Sequence, residues 1–331
     1  MEHGMITSAS GWRKVFAFSG DENDKSEKIT DDDKILSAIA ADVFSDYIAE
    51  RYSSPVLVLG TDTRPTGRAI ADSMLRLLVA KKVCVKFPGV IAAPEIMAYG
   101  KSASGFIYIS ASHNPVGHNG IKFGLNDGGV LNGQENAKLV KALNEKCTSN
   151  SEIARIKSLL ESVSDSDLES VFSKSADAKA ESLRIYENFS KEVISAGNEE
   201  LFSKIKEELS KGGKNSIGII ADMNGSARTL SIDSSFFKKC GINFYALNNE
   251  PGKIEHAIIP EPENLVWCAG EMEKLHAQGH NEISLGYMPD CDGDRGNIVF
   301  WNEKSNKAEV LKAQEVFALS VLSELAYMNY L

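Results

Sequence analysis

Apolar positions recur along this chain in two alternating rhythms. Behind Asp31, Asp32 and Asp33, which suit a helix N-terminus, the residues Ile35, Leu36, Ile39, Ala40, Val43, Phe44, Tyr47 and Ile48 fall at helical spacing. Val56, Leu57, Val58 and Leu59 form an unbroken apolar run closed by Gly60, which predicts a strand. A helix over 68–81, a strand over 83–87, a helix over 94–101 and a strand over 106–109 follow, and the last leads into a loop over 110–120. This β–α–β–α order predicts an α/β fold with a largely parallel or mixed sheet covered by helices.

The rhythm changes over residues 149–182, which hold ten serines. Ile153, Ile156, Leu159, Leu160 and Val163 keep a helical spacing there, so this stretch is read as surface helices and a connector. The alternation then restarts. Helices are expected at 183–194, 201–209, 231–240 and 263–276, strands at 217–221, 243–247, 283–288 and 297–301, and a turn at 211–215. The reading is of two tandem α/β domains, each a mixed sheet covered by helices, over 1–180 and 181–304. A last helix, 312–330, has Val316, Phe317, Leu319, Leu322, Leu325 and Ala326 at helical spacing. An apolar stripe of that kind needs a partner surface. It either packs back on the second domain or opens a third, and the second reading is preferred: 305–331 as the helical stub of an incomplete domain.

Composition adds exclusions. Hydrophobic residues make up 43% and charged residues 25% of the 331, an ordinary globular mixture. Net charge is 36 − 46 = −10, which disfavours general nucleic-acid binding but leaves room for a local basic pocket holding a small phosphorylated ligand. The five cysteines are dispersed with no Cys-x-x-Cys pair, against a disulfide framework or zinc ribbon and for a reducing, cytoplasmic setting. No apolar run reaches the length of a secretory signal or a bilayer span, so no membrane association is expected.

The chemistry concentrates in four segments. Asp290, Cys291, Asp292, Gly293, Asp294 and Arg295 follow an apolar strand, so three carboxylates at alternate positions converge on a tight turn. This suits Mg²⁺ with a phosphate oxygen among its remaining ligands, and Arg295 as that phosphate's partner. A calcium EF-hand loop fits worse, because Arg295 and Trp301 occupy the positions it reserves for glycine and glutamate. The bland alternative is an acidic surface turn. The second segment, Ser110, Ala111, Ser112, His113, Asn114 and Pro115, lies at the carboxyl end of a strand, where open α/β sheets place ligands, and Lys122 follows shortly. Ser112 and His113 are adjacent and their side chains diverge, so no hydrolase triad is suggested. The third and fourth segments are loops over 10–14 and 60–65, carrying Arg13 and Arg64, each able to contact phosphate through two nitrogens. His276 and His280 are four apart, but Gly279 interrupts the helix and no third ligand follows. Asn126, Asp127, Gly128 and Gly129 read as a hairpin turn.

Taken in order, these segments resemble the α-D-phosphohexomutase family of phosphoglucomutases and phosphomannomutases. The serine segment resembles that family's phosphoserine loop, the aspartates its metal loop, and Arg13 and Lys122 its active-site arginine and lysine. Ile220 to Gly225 and Pro260 to Leu265 resemble landmarks of its second domain. The resemblance implies catalytic roles for Ser112, Lys122, Arg13 and His113. It implies phosphate binding by Arg295, Asn114 and Arg64, and Mg held by the phosphate of Ser112 with Asp290, Asp292 and Asp294. The implied activity is interconversion of hexose 1-phosphate and hexose 6-phosphate, of glucose or mannose, through phosphoserine and a hexose 1,6-bisphosphate. Two departures stand out. Cys291 sits where the family has glycine, and the chain matches only the first two of four domains plus the start of the third. The alternative is therefore a truncated or non-catalytic relative that binds Mg and carries phosphoserine, or one that needs a second polypeptide supplying the missing domains.

Overall fold

The computed structural model describes residues 3–213, 216–259 and 261–330. They form two compact units, Met1–Tyr186 and Glu187–Leu331.

In the first unit the elements run β1 (Ile6–Ser8), β2 (Gly11–Val15), α1 (Asp31–Ala49), β3 (Val56–Thr61), α2 (Gly67–Ala80), β4 (Cys84–Val90), α3 (Ala93–Gly100), β5 (Gly105–Ile109), β6 (His118–Leu125), α4 (Gly133–Thr148), α5 (Asn150–Glu161) and α6 (Asp165–Phe172), with α7 (Ser175–Ser195) containing the division. The six strands are ordered β1-β2-β6-β5-β3-β4. The β3 strand pairs in parallel with β4 and β5, whereas β6 pairs antiparallel with β5 and β2. The sheet is mixed, as expected.

Each strand near the centre is apolar on both sides because both faces are covered. Leu57, Leu59, Ile107, Ile109, Ile121 and Phe123 join the core shared with α1, α2 and α4, while Val58, Phe106 and Tyr108 cluster with Ile96 and Tyr99 of α3. The α1 helix starts where its caps allow: the Thr30 side chain accepts from the Asp33 amide at 3.1 Å, and the three aspartates occupy the first turn. The edge strand β4 opens on Cys84, which is exposed, and the other four cysteines are buried.

The structure departs from the sequence reading near the N-terminus. Residues 11–15 form a strand, not a loop, with Arg13 paired to Gly120. Its single large apolar anchor, Trp12, is fully buried and donates to the Asn136 side chain at 2.9 Å. Consequently the loop after β5 ends at Gly117, because β6 already begins at His118. The turn at 126–129 is present, closed by a 3.0 Å bond from the Leu125 amide to the Gly129 carbonyl.

The second unit contains α8 (Leu201–Ser210), β7 (Gly218–Asp222), α9 (Asp233–Lys239), β8 (Asn243–Leu247), α10 (Val266–Ala277), β9 (Ile283–Pro289), β10 (Gly296–Asn302), β11 (Lys307–Val310) and α11 (Ala313–Tyr330). Its sheet is ordered β11-β10-β9-β7-β8 and is also mixed: β7 is parallel to β8 and β9, and β10 is antiparallel to its neighbours. Ile220, Ile283, Met288 and Val299 pack against Leu265, Cys268 and Met272. The short strand β11 escaped the sequence reading, its Lys307, Ala308, Glu309 and Val310 carrying little apolar signal. Lys214 and Asn215 of the expected 211–215 turn, and Pro260 of the second-domain landmark, lie outside the described residues. No described residue of α11 is buried: Phe317 is 72% and Leu322 65% exposed. Among the described residues no helix is long and apolar enough to cross a membrane.

Candidate active-site loops

The β5 strand delivers Ser110, Ala111 and Ser112 at its carboxyl end, and Ser112 is buried with φ +55. A non-glycine residue in the left-handed region is strained and persists only where its surroundings hold it. Here they do. The Ser112 amide donates to the Ser110 side chain at 2.9 Å, and the Ser110 amide donates to the Gly120 carbonyl at 3.0 Å. Beneath the loop lies Arg64, buried, whose guanidinium donates to the carbonyls of Ser112, Asn114 and Pro115, each at 2.6 Å, and of His118 at 3.2 Å. Its Nε faces the buried Asp62 carboxylate at 3.2 Å. Arg64, expected as a phosphate ligand, donates from both Nη nitrogens to the loop's own main chain. On the outer side, the Gly117 amide donates to the Glu22 carbonyl at 2.7 Å, and a Cβ at Gly117 would lie 2.4 Å from the Asp21 carbonyl oxygen. His113 and Asn114 are half-buried on the same loop.

Register places the basic residues. Arg13 is opposite Gly120 and Tyr108 is opposite Lys122, so Arg13, Lys122 and Tyr108 share one face of the sheet. Two glycines make space between them: a Cβ on Gly120 would be 3.1 Å from Arg13 Cγ, and one on Gly11 3.1 Å from Lys122 Cγ. Lys122 Nζ lies 5.7 Å from the Tyr108 ring centroid, and Arg13 donates to the Ser10 carbonyl at 3.2 Å. The sequence-predicted Ser112, His113, Asn114, Arg13 and Lys122 thus all belong to one end or one face of the first sheet.

In the second unit, residues 290–295 connect the antiparallel strands β9 and β10, with Pro289 opposite Gly296. Asp290 caps its own turn: its Oδ1 accepts from the amides of Gly293 and Arg295, both at 3.1 Å. Gly293 has φ +74, a conformation that favours glycine. The carboxylates of Asp290, Asp292 and Asp294 each place an oxygen within 4.8 Å of the others, the first two buried and the third exposed. Three hard oxygen donors converging with one side open fit a divalent cation such as Mg²⁺ that keeps further oxygen ligands.

Sequence reasoning missed what stands behind this loop. Arg228 Nη1 donates to the Gly293 carbonyl at 3.3 Å, while Nε and Nη2 grip the buried Asp233 at 2.9 and 2.5 Å. The landmark at 222–225 has a different job. The Asn224 side chain accepts from the amides of Glu255 and His256 and donates to the His256 carbonyl, and His256 Nε2 lies 2.8 Å from Asp222. Burial opposes the charged ring of His256, but the bond to Asp222 outweighs it and raises the pKa above its ordinary value.

The sequence model described as phosphoglucomutase/phosphomannomutase, alpha/beta/alpha domain I, matches residues 11–149. Those residues match a phosphohexomutase first domain. They hold the serine loop, Arg13 and Lys122. Similar curated proteins include a phosphoglucosamine mutase of Lactococcus lactis subsp. cremoris, 34% identical over 31% of this chain and 24% of its own length. A phosphoglucosamine mutase of Clostridium botulinum is 24% identical over 78% of this chain and 49% of its own length. Among solved structures, a phosphoglucomutase/phosphomannomutase family protein from Burkholderia thailandensis superposes with TM-score 0.56 at 16% identity, covering 96% of this chain and 58% of that one. A putative phosphomannomutase from Thermus thermophilus gives 0.53 at 20% identity, covering 92% and 60%. The likeness to the phosphohexomutases therefore holds in sequence over the first domain and in fold over nearly the whole chain. The chain spans at most about half the length of these curated relatives.

Proposed function

We propose that this chain carries the phosphoryl-transfer machinery of a phosphohexomutase acting on hexose 1- and 6-phosphates. The observation that carries the reading is Ser112, held in a left-handed conformation at the carboxyl end of β5 by a buried arginine, inside the segment that matches the family. In this reading Ser112 bears the phosphoryl group. A hydroxyl of the sugar monophosphate attacks its phosphorus, the bond to Ser112 Oγ breaks, and a sugar O–P bond forms. The hydroxyl proton passes by way of Lys122 to Ser112 Oγ as that oxygen leaves, and a hexose 1,6-bisphosphate results. The reverse transfer, from the other phosphorylated carbon, regenerates phosphoserine and releases the isomeric monophosphate. Such transfer needs positioning and charge neutralisation above all. Arg13, on the face shared with Lys122, supplies one positive group; His113, Asn114 and Arg295 contact phosphate oxygens. A cation such as Mg²⁺ held by Asp290, Asp292 and Asp294 supplies Lewis-acid neutralisation when bound. Glucose and mannose phosphates are the proposed substrates, and the names of the curated relatives make glucosamine phosphate the third to assay.

The test is transfer of label from [³²P]glucose 1,6-bisphosphate to protein, followed by peptide mapping. Label on Ser112, lost in Ser112→Ala, is expected. A folded, unlabelled chain would overturn the reading.

A further inference from the structure

The aspartate loop is short, contains a glycine in the left-handed region, and is fastened to the rest of its unit at two places. Both fasteners come from the 3₁₀ turn Ala227–Leu230. The Ala227 amide donates to the Cys291 carbonyl at 2.9 Å, and Arg228 Nη1 donates to the Gly293 carbonyl at 3.3 Å. The first carbonyl belongs to the peptide that enters Asp292 and the second to the peptide that enters Asp294, so the peptides leading into both carboxylate residues are fixed from the same turn.

Arg228 is itself built in. Its Nε and Nη2 meet the two oxygens of Asp233 in a two-point grip. Asp233 also accepts from the Tyr287 hydroxyl at 2.6 Å. Tyr287 lies on β9, three residues before Asp290, so the chain of contacts Tyr287–Asp233–Arg228–Gly293 leaves the strand that enters the loop and returns to the loop's far side. Burial and the Asp233 carboxylate push the Tyr287 hydroxyl well above its ordinary pKa, in keeping with its donating to Asp233.

We propose that Arg228 is a positioning residue for the cation site: anchored by Asp233 and Tyr287, it holds the Gly293 peptide so that Asp292 and Asp294 converge with Asp290. Outer partners that orient ligands commonly change metal affinity by 10–100-fold when removed. Lysine is no substitute, because a single ammonium cannot grip both carboxylate oxygens and reach the carbonyl together. This inference rests on the proposed cation site, and its test separates the two.

The experiment is calorimetric titration of Mn²⁺, standing in for Mg²⁺, into the 331-residue chain, with the Mn²⁺ electron paramagnetic resonance signal as a second readout and circular dichroism as the check on folding. The unmodified chain should bind one Mn²⁺, and Asp292→Asn should abolish that binding. Arg228→Leu and Arg228→Lys should each raise the Mn²⁺ Kd by about 10-fold or more. Asp233→Asn, which keeps the shape but weakens the grip, should fall between them and the unmodified chain, and it carries the test if Arg228→Leu does not fold. Failure of the unmodified chain to bind Mn²⁺ would remove the cation site itself. Normal binding by that chain and equally tight binding by folded Arg228→Lys and Asp233→Asn would overturn the role of Arg228 alone.

Discussion

Arg64 has a fully buried guanidinium donating to four carbonyls and facing the Asp62 carboxylate, so its replacement removes a donor from each carbonyl and the counter-charge from Asp62. Breaking a buried pair in this way costs about 3–5 kcal/mol. Arg64→Met is therefore expected to lower the urea midpoint of the first unit, followed by the fluorescence of buried Trp12, and to release Ser112 from its left-handed conformation; an unchanged midpoint would refute the clamp. At this scale the sequence was legible where chemistry is contiguous. Ser112 with His113, and the three alternate aspartates, declare themselves because neighbouring residues do one job. The carbonyls that Arg64 holds lie 48 to 54 positions away, and Arg228 was missed because Gly293 lies 65 positions away. An arginine's sequence neighbours do not reveal whether its nitrogens face a ligand or the protein's own main chain.

Between elements, Asp42 ties four helices together. It lies buried on α1 and accepts from Lys81 after α2 at 2.7 Å, from Lys146 of α4 at 2.5 Å, and from Arg155 of α5. Burial alone would raise its pKa, but the bonds from Lys146, Lys81 and Arg155 more than reverse this and hold it at about 2, below the ordinary 3.8. A carboxyl depressed on folding contributes stability that is complete above its unfolded value and disappears as pH falls through the folded one. Asp42→Asn is thus expected to be clearly less stable than the parent at pH 6, with the gap closing between about pH 4 and pH 2. Urea melts across that range measure it, and a pH-independent gap would count against the linkage. Long elements such as α1 and α2 were legible from their apolar periodicity and caps. Short ones were not: β2 has one large buried anchor and β11 almost no apolar signal, and both exist because a neighbouring strand offers its open edge.

For the whole molecule, the two units differ in how much they bury. The first has a continuous core running from Trp12 through α1, α2, β3, β5 and β6 to Leu168 on α6, whereas the second has a small cluster around Ile220, Cys268 and Met288. No residue of α8 or α11 is buried. Opening free energy follows buried apolar contact and backbone protection. Amide hydrogen exchange is accordingly expected to be slowest in β3, β5 and β6, intermediate in β7 and β9, and fastest in α8 and α11. Protection of α11 equal to that of β5 would contradict this ordering. The alternation of strands and helices told of two mixed α/β sheets in advance. The poor burial of α11 could not be read from its apolar stripe, since spacing shows that a face exists and not what covers it.

The cysteines give the chain a use of another kind. Cys84 is exposed where β4 begins, while Cys147, Cys240, Cys268 and Cys291 are buried. Burial raises the thiol pKa of Cys147, Cys240 and Cys268, which suppresses the reactive thiolate. A maleimide dye therefore has one ready attachment point, on the sheet that carries the serine loop, and a fluorescent reporter can be installed without altering a single residue.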